Sequence, residues 1–61
     1  MSTFEFDDQG SGQRGFVSVR QEDDVVALSV SLQDDGDIEV FFGLEDAERL
    51  GRMLAELAPD N

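Results

Sequence analysis

The sequence contains no cysteine, no histidine and no lysine. The first two absences together exclude disulfide staples, thiolate chemistry, imidazole acid–base catalysis and the common zinc sites. No apolar run approaches the ~20 residues that a membrane-spanning helix requires. The opening residues Met1-Ser2-Thr3-Phe4-Glu5-Phe6-Asp7-Asp8 are acidic where a secretory signal is basic, so a soluble, cytoplasmic chain is expected. Basic side chains are also scarce. All four are arginines (Arg14, Arg20, Arg49 and Arg52) against fifteen acids, a net charge of −11. Such a surface repels nucleic-acid backbones and anionic membranes, because affinity for phosphate depends on cations that neutralise it. Direct binding to either is therefore not expected. The arginine-only, aspartate-rich bias also fits a GC-rich coding genome or a salt-adapted host.

With 61 residues the chain is one domain (1–61), near the size at which a single hydrophobic core is marginal, since roughly 60% of the unfolded surface can be buried. Without metals or disulfides, the remaining routes to stability are tight packing or a partner chain. Hydrophobic periodicity divides the chain into an N-terminal strand and loop over residues 1–13, a β-meander over 14–42 and a helix over 43–58. Thr3 to Phe6 alternate polar and apolar. Gly15 to Arg20 and Val25 to Gln33 read as strands, as does Asp37 to Phe42. From Phe42 to Ala58 the period changes: Ala47, Leu50, Gly51, Leu54, Leu57 and Ala58 recur at spacings of three and four, one apolar stripe of a helix. Gly43 is placed as its N-cap, Glu45 and Asp46 in its first turn, and Pro59 ends it by disfavouring α geometry at Ala58. Glu45–Arg49, Glu48–Arg52 and Arg52–Glu56 are spaced for ion pairs along its outer side. Gly51, on the stripe, would let the helix backbone approach the sheet.

Turn chemistry sets the expected registers. A four-residue loop Gln21 to Asp24 pairs Val19 with Val26 and Val17 with Leu28. A three-residue loop Asp34-Asp35-Gly36, with Gly36 left-handed, pairs Leu32 with Ile38, Val30 with Val40 and Leu28 with Phe42. The fold expected is α+β: a three-stranded antiparallel meander, admitting a fourth short N-terminal strand, with one C-terminal α-helix packed on one face. The helix would cover Val17, Val19, Val26, Leu28, Val30, Leu32, Ile38, Val40 and Phe42.

Catalytic and ligand motifs fail on context. Gly10-Ser11-Gly12-Gln13-Arg14-Gly15-Phe16-Val17 fits G-x-G-x-x-G-x-V, but it leads into a strand where a dinucleotide site needs a helix. A kinase-type loop would lack its lysine and the rest of its machinery, so the stretch is expected to be a flexible hairpin loop. Aligning Gly36 with the glycine of a calcium loop puts Ser31, Gln33 and Phe42 where carboxylates belong. Paired carboxylates for acid–base work need a cleft, which one helix on a small sheet does not supply. No enzyme activity, catalytic residue, cofactor or metal is expected.

Two binding surfaces are left. On the sheet face away from the helix, Phe16, Ser29 and Phe41 are expected to line up, with Val25 and Ala27 beside them. Two aromatics over small residues make a partner face, covered by Phe4 and Phe6 of the N-terminal segment, by a second copy in a homodimer, or by another protein. The alternative is that the acidity itself functions. Glu22, Asp23, Asp24, Asp34, Asp35 and Asp37 would then present a nucleic-acid-like surface to a basic protein, as an inhibitor or decoy.

The segment Phe42-Gly43-Leu44-Glu45-Asp46-Ala47-Glu48-Arg49-Leu50 resembles small uncharacterised actinobacterial proteins in which strands precede a C-terminal helix that opens with a cap, two acids, an alanine and a leucine. Gly43 stands where Ser or Thr is usual. The resemblance covers about a third of the chain and implies a fold but no activity. The expected function is therefore a small acidic protein-interaction module that associates with itself through the face opposite the helix.

Overall fold

A computed structural model describes residues 1–57. Four strands form one antiparallel sheet, β1 (Ser2–Asp7), β2 (Arg14–Glu22), β3 (Val25–Leu32) and β4 (Gly36–Gly43), in the order β1-β2-β3-β4, followed by one helix, α1 (Leu44–Leu57). The α+β class, the meander and the single C-terminal helix match expectation. The N-terminal strand is a full member of the sheet. Ala58 and Pro59, expected at the helix end, lie outside the described residues. Gly43 closes β4 and immediately precedes α1, so strand passes into helix without a loop, and Glu45 and Asp46 occupy the first turn.

Both expected registers are corrected by two residues. Val19 pairs with Leu28 and Val17 with Val30, because Gln21 and Glu22 extend the ladder and the turn shrinks to Asp23-Asp24, with Asp23 at φ 54. Aspartate tolerates that left-handed conformation better than most side chains. On the other side of β3, Leu32 pairs with Gly36, Val30 with Ile38, Leu28 with Val40 and Val26 with Phe42. Gly36 is left-handed as expected, at φ 81, but it belongs to the first pair of the ladder and the loop is Gln33-Asp34-Asp35. A polar residue at a sheet end still gains ladder hydrogen bonds, which alternation alone does not reveal. Because each slip is even, every side chain stays on its expected face.

On the helix side the opposed sets are Phe4-Val17-Val30-Ile38 and Ser2-Val19-Leu28-Val40, with Phe6 opposite Gly15 at one end and Val26 opposite Phe42 at the other. Phe4 and Phe6 thus lie on this side. They do not cover Phe16 and Phe41, as one expectation had it, because strand alternation fixes their direction once β1 pairs with β2. Phe6 lies across Gly15, where an added Cβ would collide with its ring.

Helix α1 approaches β4 and β3 and neither β1 nor β2. Among the described residues of its stripe, only Ala47 and Leu50 are half-buried; Leu54 is 61% exposed and Leu57 81%. The close approach expected at Gly51 is absent, since nothing lies within 4 Å of where its Cβ would stand. Among the described residues, Glu48–Arg52 is the one helical ion pair formed, at 2.9 Å. An arginine pairing with an acid one turn before it follows the helix dipole, which favours Glu48 over Glu56 as the partner of Arg52. Solvated pairs such as Glu45–Arg49 gain too little to fix two long side chains.

The protein is accordingly open. Its accessible surface is 4952 Å², whereas a compact chain of this mass exposes about 3,900 Å². Its radius of gyration is 12.8 Å, against about 10.5 Å for a compact domain of this length. Among the described residues the one buried hydrophobic side chain is Ala27, 2% exposed.

Candidate functional site

An apolar groove lies between the sheet and the helix. It measures about 420 Å³ and is lined by Phe4, Val17 and Val19 from β1 and β2, Val26, Leu28 and Val30 from β3, Phe42 from β4, and Ala47, Leu50, Gly51 and Leu54 from α1. None of these side chains titrates or donates a hydrogen bond. The groove can therefore hold apolar surface, but no group lining it can move a proton or ligate a metal. Its origin is a mismatch of widths. Four strands about 4.8 Å apart make a sheet roughly 19 Å across, whereas a helix is about 10 Å wide. The expected three-stranded face suits one helix, and β1 widens it beyond what α1 covers. Sequence reasoning placed these residues, Phe4 excepted, in the core between helix and sheet. The signal that could have found the groove was the Phe4-Phe6 alternation, which adds the fourth strand.

The opposite face holds the residues first expected to bind a partner. Phe16, Val25, Ala27, Ser29 and Phe41 do share that face, but the aromatics do not line up. Phe16 is opposite Ser31 and Phe41 opposite Ala27, which places the two rings two strands and four residues apart, roughly 16 Å by strand geometry. This follows from the corrected registers. Between them lies a polar bridge. Arg20 donates from Nε to Glu22 at 2.7 Å and from Nη1 to Glu39 at 2.9 Å. The second bond joins β2 to β4, so the arginine arm passes over β3 near Ala27, its neighbour in the ladder, and explains that residue's burial. Phe16 and Phe41 remain 43% and 58% exposed on either side.

The acidic candidates separate into two groups. Glu22, Asp23 and Asp24 stand at one end of β3 and Asp34, Asp35 and Asp37 at the other, roughly 23 Å apart along an eight-residue strand. They form no single row. Several acids are also engaged: Glu22 by Arg20, Asp35 by Gln13, and on β1 Glu5 and Asp7 by Arg14 at 3.3 and 3.5 Å.

The glycine-rich stretch is the hairpin loop expected, joining β1 to β2, and a hydrogen-bond network spans it. Asp8 N donates to the Gln13 carbonyl and Gly12 N to the Asp8 carbonyl, at 2.8 and 2.7 Å, with Gly12 left-handed at φ 78. Ser11 donates to the Asp8 carboxylate from its amide at 2.9 Å and from its hydroxyl at 2.7 Å. Gln13 then links this loop to the β3–β4 turn, donating from Nε2 to Asp35 and accepting from the Asp34 amide at Oε1, both at 2.8 Å. Removing it is expected to destabilise the fold. Gln13→Ala should cost about 1–2 kcal/mol, two exposed hydrogen bonds at ordinary net strength, read as a lower urea midpoint at constant slope.

The same network acts on acid titration. The Ser11 hydroxyl, then the Ser11 amide, hold the Asp8 carboxyl below the usual aspartate range. A carboxylate depressed on folding adds stability above its unfolded pKa and loses that contribution as pH falls through the lower folded value. In Ser11→Ala the Asp8 pKa is expected to rise toward the ordinary aspartate value, read from the side-chain carboxyl carbon in an NMR titration, so that the loop gives way at a higher pH on acidification. An unchanged Asp8 titration would remove the hydroxyl from this account.

Among the described residues, no helix is long and apolar enough to cross a membrane and no group of three or more acids is placed to hold a metal ion. Comparison with protein-family models, curated proteins and solved structures finds no match.

Proposed function

We propose that this chain is a cytoplasmic, non-enzymatic protein-interaction module that works as a homodimer. The observation that carries the reading is the excess of exposed surface, about 1,000 Å² per chain beyond a compact fold of this mass. Doubled across two copies, that approaches 2,000 Å², at the upper end of a standard interface and the lower end of obligate ones. A chain that buries one small hydrophobic side chain among its described residues, yet presents valines, leucines and phenylalanines along a groove, gains most of its core from association. A purely apolar groove lining supports binding over catalysis, since no group there could act on a bound molecule. The bridge of Arg20 to Glu22 and Glu39 makes the Phe16 and Phe41 side a poorer dimer surface than the groove side. An acidic decoy draws less support, its acids being split between the two ends of the sheet.

Light scattering on the purified chain at micromolar concentration is the test. The expected mass is twice the 6.7 kDa of one chain, retained in high salt because apolar contacts are not screened. A mass of one chain would overturn the reading. A complex with a basic protein that forms only in low salt would favour the decoy in its place.

A further inference from the structure

Resting on the homodimer reading, we infer that the occupant of the open half of the groove is the helix of a second copy, its Leu54 and Leu57 laid over Phe4, Val17 and Val19. The sheet is wide enough for two helices abreast, and α1 stands over β3 and β4 alone. The β1–β2 half therefore lacks a helix, while in the C-terminal half of α1 Leu54, at the groove's edge, and Leu57 stay 61% and 81% exposed. These are the two complementary deficits of one chain. A two-fold axis satisfies both at once, each copy giving its helix end and receiving the other's, which is the self-complementary pattern of a closed dimer.

Charge and size agree with this occupant. A partner helix lying stripe-down keeps Glu48, Arg49, Arg52 and Glu56 in solvent, so no ion is buried without a partner. The whole chain exposes about 1,000 Å² more than a compact fold of its mass, of the order of the ~800 Å² that each partner contributes to a standard interface. A foreign apolar helix could fill the β1–β2 half but would leave Leu54 and Leu57 of α1 bare.

The chain has no cysteine, so single engineered thiols report contacts without background. Val19→Cys chains are mixed with Leu54→Cys chains in mild oxidant, and both substitutions fall at exposed positions. The expected product is the mixed disulfide, formed faster than either homodimer and faster than any product of Phe16→Cys with Phe41→Cys. Three results would overturn the inference. One is a light-scattering dimer that links only through the Phe16 and Phe41 positions, which leaves the homodimer reading standing. Another is a Val19→Cys/Leu54→Cys double variant that closes within single chains, showing that the chain's own helix shuts the groove. The third is a mass of one chain throughout, which removes the homodimer reading as well.

Discussion

Gly15→Val is expected to strip β1 from the sheet, although strand propensity alone predicts the opposite sign. Valine is favoured in strands over glycine by up to ~1 kcal/mol. Against that, any Cβ at position 15 enters the space of the Phe6 ring. The ring must swing out, which forfeits its contact and brings a cost of about 1–3 kcal/mol, the usual range for an overfilled site. Steric conflict wins, and in a domain whose core supplies no more than ~3–5 kcal/mol the loss is a large share of the total. The measurement is amide exchange by NMR with a urea midpoint. Protection should vanish first from Ser2 to Asp7, and the midpoint should fall. Gly51→Ala is the matched control: its Cβ meets open space, so the exchange should cost nothing and gain up to ~1 kcal/mol from helix propensity. A Gly15→Val chain as stable as the parent, with β1 still protected, would show that Phe6 is not a packed lid.

The second large effect is a dependence of thermal stability on protein concentration. If most of the core forms between copies, the folded state is a dimer and unfolding yields two chains, so mass action enters the midpoint. Each tenfold increase in concentration adds about 1.4 kcal/mol per dimer. With an unfolding entropy of about 2.1 cal/mol/K per residue, a dimer of 61-residue chains should gain about 5 °C in Tm per decade. Added salt should raise Tm too, since each copy carries a net charge of −11 and screening relieves the repulsion between them. Circular dichroism melts from micromolar to millimolar chain settle both points. A Tm independent of concentration would mean that the monomer holds itself together.

How far the chain could be read in advance depended on which interactions periodicity encodes. Alternation along β3 assigned Val26, Leu28, Val30 and Leu32 to one face, and a slip of two residues in both neighbouring ladders did not disturb that assignment. The pairings themselves were legible only through the turns. There the polar residues Gln21 and Glu22 misled, because hydrogen bonding at a sheet end is indifferent to hydropathy, and Gln33, read as the end of a strand, belongs to the turn. Gly15 and Gly51 show the same limit from another side. Both were visible as glycines, one in a nominal phosphate loop and one on a helix stripe. Neither environment was legible: the ring of Phe6 crowds the first, and open space surrounds the second, where a close approach to the sheet was expected. Gln13 gave no signal at all, since a side chain that ties two loops together depends on their meeting at one end of the sheet. The groove was hidden for a related reason: its residues have the composition of a core, and composition does not say whether a chain's own helix is wide enough to close it.

The strand order β1-β2-β3-β4, in which every ladder joins neighbours in sequence, has a kinetic consequence. Each hairpin closes over a short stretch of chain, and no pairing waits for a distant segment to return. Chains with such local contacts fold quickly for their class, since little loop entropy must be lost before contacts form. Formation of the sheet within one chain should therefore be fast and, if the folded state is the proposed homodimer, the slow event is the meeting of two chains that repel each other. The refolding rate should then scale with concentration and rise with ionic strength, as a second-order process does when like charges must be brought together.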